Sequence, residues 1–160
     1  MRKVNLLFLC IALLLFAGCS SGDKDNQDNH EAYKKEGEEF LKENAKKEGV
    51  ITLPSGLQYI VLKEGFGPKP TLTENVTAHY HGTLIDGTVF DSSVERGEPL
   101  TFTVNQVVKG WQEALQLMPM GAKWRIFVPA ELGYGTRARG DKIKPNSVLI
   151  FEIELLSINS

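Results

Sequence analysis

A single amphipathic helix, Asn105–Leu117, limits the folds open to the C-terminal two-thirds of the chain, because strands are predicted on both sides of it. Its apolar residues recur at helical spacing along one stripe: Val107, Val108, Trp111, Ala114, Leu115 and Met118. Asn105 has a side chain suited to capping the first turn, and Pro119 and Gly121 prevent continuation of the helix. The pattern predicts a helix over 105–117 with Trp111 at the centre of its buried face.

Alternating apolar and polar residues predict strands before and after this helix. The strand-like segments are Leu57–Leu62, Val76–His81, Leu100–Val104, Ala122–Val128 and Leu149–Leu155, and Leu84–Phe90 is the segment of a predicted hairpin. Asp86-Gly87 between apolar pairs is a strong hairpin signal. The long segment Pro129–Ser147, rich in glycine and charge, predicts a functional or mobile loop. One helix with a wide apolar face among such strands predicts one sheet folded around one helix.

Residues 1–18 have the pattern of a signal peptide. Two basic residues precede the apolar run Leu6–Ala17, whose twelve residues are too few for a membrane-spanning helix of roughly 20. The small residues before Cys19 resemble the lipobox of bacterial lipoproteins, although Phe16 departs from the usual leucine. By that resemblance, the chain is cleaved before Cys19 and Cys19 carries the lipid. The alternative is an ordinary secreted protein that is cut near Ala17.

Cysteine usage supports lipid attachment. The chain has two cysteines, Cys10 inside the predicted signal and Cys19 at its end, which leaves the globular part without a disulfide or a thiol nucleophile. Stable anchoring needs more than one acyl chain, and a triacylated Cys19 meets that condition. By the sorting rule of the lipoprotein family, Ser20 after the cysteine indicates the outer membrane.

Two segments separate the predicted anchor from the strands. Residues 19–30 are rich in Ser, Gly, Asp and Asn, which predicts a flexible tether. Residues 31–49 predict a linker helix that ends near Gly49. One face of this helix carries Tyr33, Gly37, Phe40, Leu41, Asn44 and Ala45. The favoured interpretation is a helix that packs on the domain edge or serves as a spacer, and dimerisation is the alternative. Because the stripe is short for dimerisation, we expect a monomer.

Several common classes of function leave no trace in the sequence. The chain contains no nucleophile elbow, phosphate-binding loop or zinc-protease motif. Its net charge of −2 argues against nucleic acid, which requires a basic face. His79 and His81 share one face of a predicted strand and allow a metal site in principle. With no third ligand nearby, we expect both histidines on the solvent face.

A set of aromatic and apolar residues remains, beside one carboxylate, Asp91. The set is Tyr80, Phe90, Phe102, Val107, Val108, Trp111, Tyr134, Ile143 and Phe151. Aromatic residues at inward strand positions are ordinarily core. The pattern alone therefore favours a hydrophobic core and leaves a ligand pocket as the second interpretation.

The order of these residues resembles the signature of the FKBP-type peptidyl-prolyl cis-trans isomerases. The resembling segments are Tyr80–Ser93, Val107–Leu115, Leu132–Gly135, Ile143–Ser147 and Leu149–Leu156. The resemblance covers residues 49–160. The preceding segment, Phe40–Val50, resembles the linker of the bacterial Mip-like and FkpA-like branch.

The resemblance implies an α+β fold at 50–160, in which a five- or six-stranded antiparallel half-barrel sheet wraps around the central helix. It implies Trp111 as the pocket floor, with walls formed by Tyr80, Phe90, Phe102, Val107, Val108, Tyr134 and Phe151. The Tyr134 hydroxyl and the Ile143 backbone N–H are implied to hold substrate carbonyls. Asp91 is implied to orient a pocket side chain and to polarise the edge of the site.

Two positions depart from the family pattern. Leu100 stands where many members have an aromatic residue, and Arg139 stands where several have histidine. We expect the first to alter the side of the pocket and the second to alter peptide preference. Neither change removes a central group.

The same resemblance implies isomerisation of X–Pro bonds in exported proteins, without a cofactor or a metal. The expected partners are X–Pro segments of unfolded or exported proteins, macrolides such as tacrolimus or rapamycin, and a membrane reached through the lipid on Cys19. The domain is then expected in the periplasm or at the cell surface. The alternatives are a non-catalytic chaperone or peptide-binding module and, more remotely, a metal-binding protein that uses His79 and His81.

Overall fold

The structure is a computed structural model that describes residues 21–159. Its helices are α1 (Ser21–Asn44), α2 (Ser93–Arg96) and α3 (Lys109–Leu117), with 3-10 turns at Val104–Gln106 and Ala130–Leu132. Its strands are β1 (Ile51–Thr52), β2 (Gln58–Lys63), β3 (Asn75–Thr83), β4 (Val89–Ser92), β5 (Leu100–Thr103), β6 (Lys123–Val128) and β7 (Leu149–Asn159).

Within this part of the chain, the strands form one seven-stranded sheet in which every pairing is antiparallel. The order is β1-β2-β6-β7-β3-β4, and β5 also pairs with β3. The nine residues of β3 are long enough for β5 to pair with its first half and β4 with its second. The predicted α+β fold with an antiparallel sheet is confirmed. The sheet has more strands than the predicted five or six because it includes β1, whose two residues are too few to show an alternating pattern.

Helix α3 is shorter than predicted, and the proposed cap at Asn105 is wrong. The helix begins at Lys109, because the residues before it form a 3-10 turn and then an extended link. The N-cap position belongs to Val108, whose side chain makes no capping hydrogen bond. The side chain of Gln112 donates instead to the carbonyl of Val107 at 2.7 Å and to that of Asn105 at 3.3 Å. A side chain inside the helix therefore donates hydrogen bonds to backbone carbonyl groups of the segment that precedes the helix.

The buried face of α3 forms the centre of the hydrophobic core. Trp111, Ala114 and Leu115 are buried on this helix and pack against inward-facing residues of the sheet. A Cβ added at Gly110 would lie 2.6 Å from Cγ1 of Val128, well inside van der Waals contact. Glycine at that position lets the first turn of α3 approach β6 closely.

Helix α1 packs on the edge of the domain, in agreement with the favoured interpretation. The buried Asn44 side chain donates to Oε1 of Gln58 at 2.9 Å, and Nε2 of Gln58 donates to the carbonyl of Leu41 at 2.8 Å. A Cβ at Gly37 would lie 2.8 Å from Cγ2 of Val148. Glycine in mid-helix costs roughly 1 kcal/mol relative to alanine, and here it permits the helix to lie against the domain.

The bounds of α1 differ from those predicted. The helix begins at Ser21, inside the segment predicted as a tether, and it ends at Asn44 instead of near Gly49. Its last residue is turned into the domain by the hydrogen bond to Gln58, and tighter turns follow until Gly49, whose φ is 80°. The signal peptide and Cys19 lie outside the described residues. Among residues 21–159, no helix is both long enough and apolar enough to cross a bilayer.

Candidate active site

A cavity of about 670 Å³ opens between the start of α3, strands β3 and β4, and the loop that precedes β7. Nine of the predicted site residues line it: Tyr80, Phe90, Asp91, Val107, Val108, Trp111, Tyr134, Ile143 and Phe151. Leu100, Gln106 and the loop segment 139–142 complete the lining. The structure thus gathers residues that lie far apart in the sequence around one space.

Trp111 forms the buried floor of this cavity and is 4% exposed. Its ring meets Tyr80 at 5.3 Å and Phe151 at 5.1 Å between centroids, both nearly perpendicular. Edge-to-face packing of this kind is the preferred arrangement of aromatic rings. Phe102 packs against Trp111 at 5.6 Å but is not among the residues that line the cavity. Its predicted place in the wall is corrected: it supports the floor.

Asp91 is joined to Tyr80 and Arg96 at the edge of the cavity. The Tyr80 hydroxyl donates to Oδ2 of Asp91 at 2.5 Å, and Arg96 donates to Oδ1 of Asp91 and, at 2.8 Å, to the Tyr80 hydroxyl. Burial raises the pKa of Asp91, but the hydrogen bonds from Tyr80 and Arg96 outweigh it and leave the pKa below its usual value. The carboxyl group is therefore held in its charged form.

The same contacts act on the Tyr80 hydroxyl. Burial is the largest cause that raises the pKa of Tyr80, and the hydrogen bond to Asp91 raises it further, against a smaller opposing effect of Arg96. A tyrosine with a raised pKa keeps its proton at neutral pH. Tyr80 therefore remains a hydrogen-bond donor to Asp91 and does not become a second anion at the site.

The short helix α2 places Arg96, a residue that the sequence reasoning missed. The side chain of Ser92 caps this helix by accepting the backbone N–H of Glu95 at 3.2 Å, and Gly97 ends it in the left-handed conformation. Ser followed three residues later by Glu is a local signal for a helix start. That signal was available in the sequence, but the contact between Arg96 and Tyr80 depends on the pairing of β3 with β4.

The loop before β7 supplies Tyr134 and Ile143. The backbone N–H of Ile143, predicted to hold a substrate carbonyl, donates here to the carbonyl of Arg139 at 3.3 Å. To bind a substrate, it has to share or release this long bond. The Arg139 guanidinium lies 5.7 Å from the centroid of the Tyr134 ring, within cation–π range. Arg139 thus steadies the ring at the cavity mouth.

His79 and His81 do not line the cavity. Nδ1 of His79 lies 3.0 Å from Oγ of Ser93, and Nδ1 of His81 lies 2.9 Å from Oγ of Ser92. Among residues 21–159, no group of three or more His, Cys, Asp or Glu side chains is arranged to hold a metal ion. The contacts of the two histidines in this structure are with the first residue of α2 and the last residue of β4.

Family models match most of the chain. The model for FKBP-type peptidyl-prolyl cis-trans isomerase matches residues 67–156, and the model for the domain amino terminal to FKBP-type peptidyl-prolyl isomerase matches residues 19–61. The first match contains all nine of the predicted residues that line the cavity, the rest of the cavity lining, and Arg96. The second match covers the described part of α1 and continues into β2.

Individual relatives agree with these models. The FKBP-type 22 kDa peptidyl-prolyl cis-trans isomerase of Escherichia coli K12 is 54% identical over 136 residues, which are 85% of this chain and 66% of the relative. The outer membrane protein MIP of Legionella longbeachae is 54% identical over 128 residues, 80% of this chain and 55% of that protein. The chain thus spans about half to two-thirds of the length of these curated relatives.

Solved structures show the same fold. FkpA from Escherichia coli superposes with a TM-score of 0.82 at 39% identity, over 88% of this chain and 65% of that one. A peptidyl-prolyl cis-trans isomerase from Pseudomonas syringae gives 0.76 at 40% identity, over 81% of this chain and 96% of that one. With the cavity, the family model and these relatives in agreement, the chain belongs to the FKBP-type peptidyl-prolyl cis-trans isomerase family.

Proposed function

We propose that this chain accelerates cis-trans rotation about X–Pro peptide bonds. The observation that carries the proposal is the aromatic cavity itself: an apolar space floored by Trp111, with the Tyr80–Asp91–Arg96 hydrogen bonds at its edge. Uncatalysed X–Pro isomerisation takes tens of seconds and limits the folding of many proteins. An enzyme for this step needs neither a nucleophile nor a cofactor.

The chemistry follows from amide resonance. Rotation about a peptide bond is opposed by a barrier of about 18–20 kcal/mol, because the twisted amide loses its resonance. The twisted amide is less dipolar than the planar one. An apolar pocket therefore disfavours the planar ground state more than the transition state, and this difference lowers the barrier.

Individual residues of the cavity bind and orient the substrate. Trp111 receives the proline ring, and the walls hold the amide away from water. The hydroxyl of Tyr134, which has no hydrogen-bond partner among the described residues, donates to a substrate carbonyl, and the Ile143 N–H joins it by releasing the Arg139 carbonyl. Asp91 orients Tyr80 and keeps one negative charge at the cavity edge.

We further propose that the substrates are exported proteins and that a lipid on Cys19 anchors the chain to a membrane. The sequence motif around Cys19 supports this, and one relative carries the name outer membrane protein MIP. The outer membrane is the proposed location, with the domain in the periplasm or at the cell surface. Macrolides such as tacrolimus or rapamycin are the proposed inhibitors, as ligands of the same aromatic cavity.

A monomer is also proposed. The apolar stripe of α1 is used against its own domain, where Gly37 and Asn44 are buried. Tyr33 is the large apolar side chain that remains exposed among those described on this helix, at 37%. Sedimentation of the chain begun at residue 20 tests this proposal, and a dimer mass that persists on dilution contradicts it.

The activity is tested on a short X–Pro peptide by exchange NMR, in which catalytic amounts of the chain are expected to broaden the separate cis and trans signals. An excess of tacrolimus or rapamycin is expected to reverse the broadening. Signals that stay sharp while the peptide demonstrably binds favour the alternative, a non-catalytic binding module of the same fold.

A further inference from the structure

A second, smaller cleft lies beside the active-site cavity. Its volume is about 220 Å³, below the range of pockets that enclose a whole small-molecule ligand but enough for one large side chain. Its apolar lining comes from three elements: Tyr33 of α1, Leu84 and Ile85 of the hairpin between β3 and β4, and Val148 before β7. None of the residues predicted for catalysis lines this cleft.

Lys142 lines both the cleft and the active-site cavity. Its ammonium group donates to the backbone carbonyl of Val89 at 2.6 Å, so the side chain bridges the loop and strand β4. The partition between the two spaces therefore includes one flexible, solvent-exposed lysine. A lysine side chain has several rotatable bonds, so Lys142 can adjust to a chain that passes between the two spaces.

We propose that this cleft is a second subsite for the polypeptide substrate, and that it takes an apolar side chain a few residues away from the proline. The inference rests on the proposed isomerase function. An extended chain advances about 3.3–3.6 Å per residue, and Lys142 borders both spaces, so a segment that leaves the cavity past Lys142 enters the cleft. Lys142 then separates the proline site from the subsite and contacts the chain that connects them.

The proposed subsite narrows the substrate class to polypeptides that carry an apolar side chain a few residues from the proline. Unfolded proteins carry apolar side chains near their prolines, whereas a short peptide ends before it reaches the cleft. The mixed charges around the cleft, Glu36 and Asp86 against Lys142 and Lys144, do not select one sign of charge. Selection by this subsite therefore depends on apolar contact.

The test compares extended X–Pro peptides that differ at one position, leucine or serine, placed two to four residues from the proline on either side. A short X–Pro peptide is measured beside them. The variants are Tyr33→Ser on α1 and Ile85→Ser on the hairpin, two partly exposed positions outside the active-site cavity. Phe66→Ser is the matched control, because Phe66 is 97% exposed and lines neither space.

For the wild-type chain and the Phe66 control, kcat/KM is expected to be about fivefold higher for the leucine peptide at one of these positions, the scale of partly burying an apolar side chain. Each cleft variant is expected to reduce this preference to near unity while short-peptide activity and melting temperature stay unchanged. If the short peptide is accelerated but leucine gives no advantage, or if the advantage survives both cleft variants, the subsite is refuted. If the wild type does not accelerate even the short peptide, the isomerase function fails and the subsite with it.

Discussion

The Tyr80 hydroxyl lies 2.5 Å from Oδ2 of Asp91, and this hydrogen bond connects the buried floor of the cavity to its charged edge. The Tyr80 ring packs against Trp111 at 5.3 Å, while its hydroxyl also accepts a hydrogen bond from Arg96 at 2.8 Å. The position of the floor and the position of the carboxylate are therefore fixed by one side chain. A change at Asp91 is expected to act on catalysis through this connection.

We predict that Asp91→Asn lowers kcat/KM for an X–Pro peptide by roughly tenfold, the scale of losing one charge-assisted hydrogen bond. The melting temperature is expected to stay close to that of the wild type, because the Asp91 side chain is 45% exposed. Glu98→Gln, a change at an exposed carboxylate that does not line the cavity, is the control and is expected to keep full activity. Full activity in Asp91→Asn shows that the charge of this carboxylate does not contribute to catalysis.

We predict that kcat/KM changes less than about twofold between pH 6 and pH 8. The pKa of Asp91 is lowered from its ordinary value near 3.9, and that of Tyr80 is raised above its ordinary value near 10. Asp91 thus stays charged and Tyr80 neutral across this range. A bell-shaped pH profile of kcat/KM, centred between pH 6 and pH 8, contradicts the protonation states assigned to Asp91 and Tyr80.

The same pKa directions predict where stability depends on pH. A carboxyl group with a lowered folded pKa contributes stability above its unfolded pKa, and this contribution is lost as the pH falls through the folded value. The difference in unfolding free energy between wild type and Asp91→Asn, small because the Asp91 side chain is 45% exposed, is therefore expected to be constant from pH 6 to pH 8 and to shrink below about pH 4. Denaturant titrations of both proteins, one set between pH 6 and pH 8 and one below about pH 4, measure this difference in unfolding free energy.

The sequence predicted the floor of the site well and its edge incompletely. Helical periodicity placed Trp111 on the buried face of α3 because that signal is local. Arg96 was missed because it reaches Tyr80 only after β3 and β4 pair, with His81 opposite Ser92. Lys142 shows the same limit: its contact with Val89 joins positions that only the folded chain brings together.

The ends of the helices were also hard to predict, for a physical reason. The side chain of Asn105 was suited to cap a helix, but the chain there forms a 3-10 turn, and α3 starts only at Lys109. Packing of the first turn against β6, with Gly110 beside Val128, accompanies that later start. Tertiary contacts of this kind override a local capping preference.

We predict that Tyr134→Phe lowers kcat/KM several-fold and leaves the melting temperature within about a degree of wild type. The change removes one hydroxyl from a half-buried ring and keeps the ring's contact with Arg139. Loss of one hydrogen bond to the transition state corresponds to about 0.5–1.5 kcal/mol. Tyr59→Phe, which removes a hydroxyl from a residue that lines neither the cavity nor the cleft, is the control. Unchanged activity in Tyr134→Phe shows that this hydroxyl does not hold the substrate.

We predict that Cys19→Ala moves the protein from the membrane fraction to the soluble fraction of cells. The physical reason is that acyl chains, each contributing about 0.8 kcal/mol per buried CH₂, supply the proposed anchor. Cys10→Ala is the control, because Cys10 lies inside the predicted signal and is expected to leave fractionation unchanged. Retention of Cys19→Ala in the membrane fraction places the anchor elsewhere.

The refolding rate of a protein limited by prolyl isomerisation is the decisive measurement for the proposed activity. Catalytic amounts of the wild-type chain are expected to raise that rate in proportion to their concentration, Asp91→Asn to raise it less, and an excess of tacrolimus or rapamycin to suppress the effect. A slow phase whose rate is unchanged by the wild-type chain at every concentration contradicts the isomerase function and favours a non-catalytic binding module.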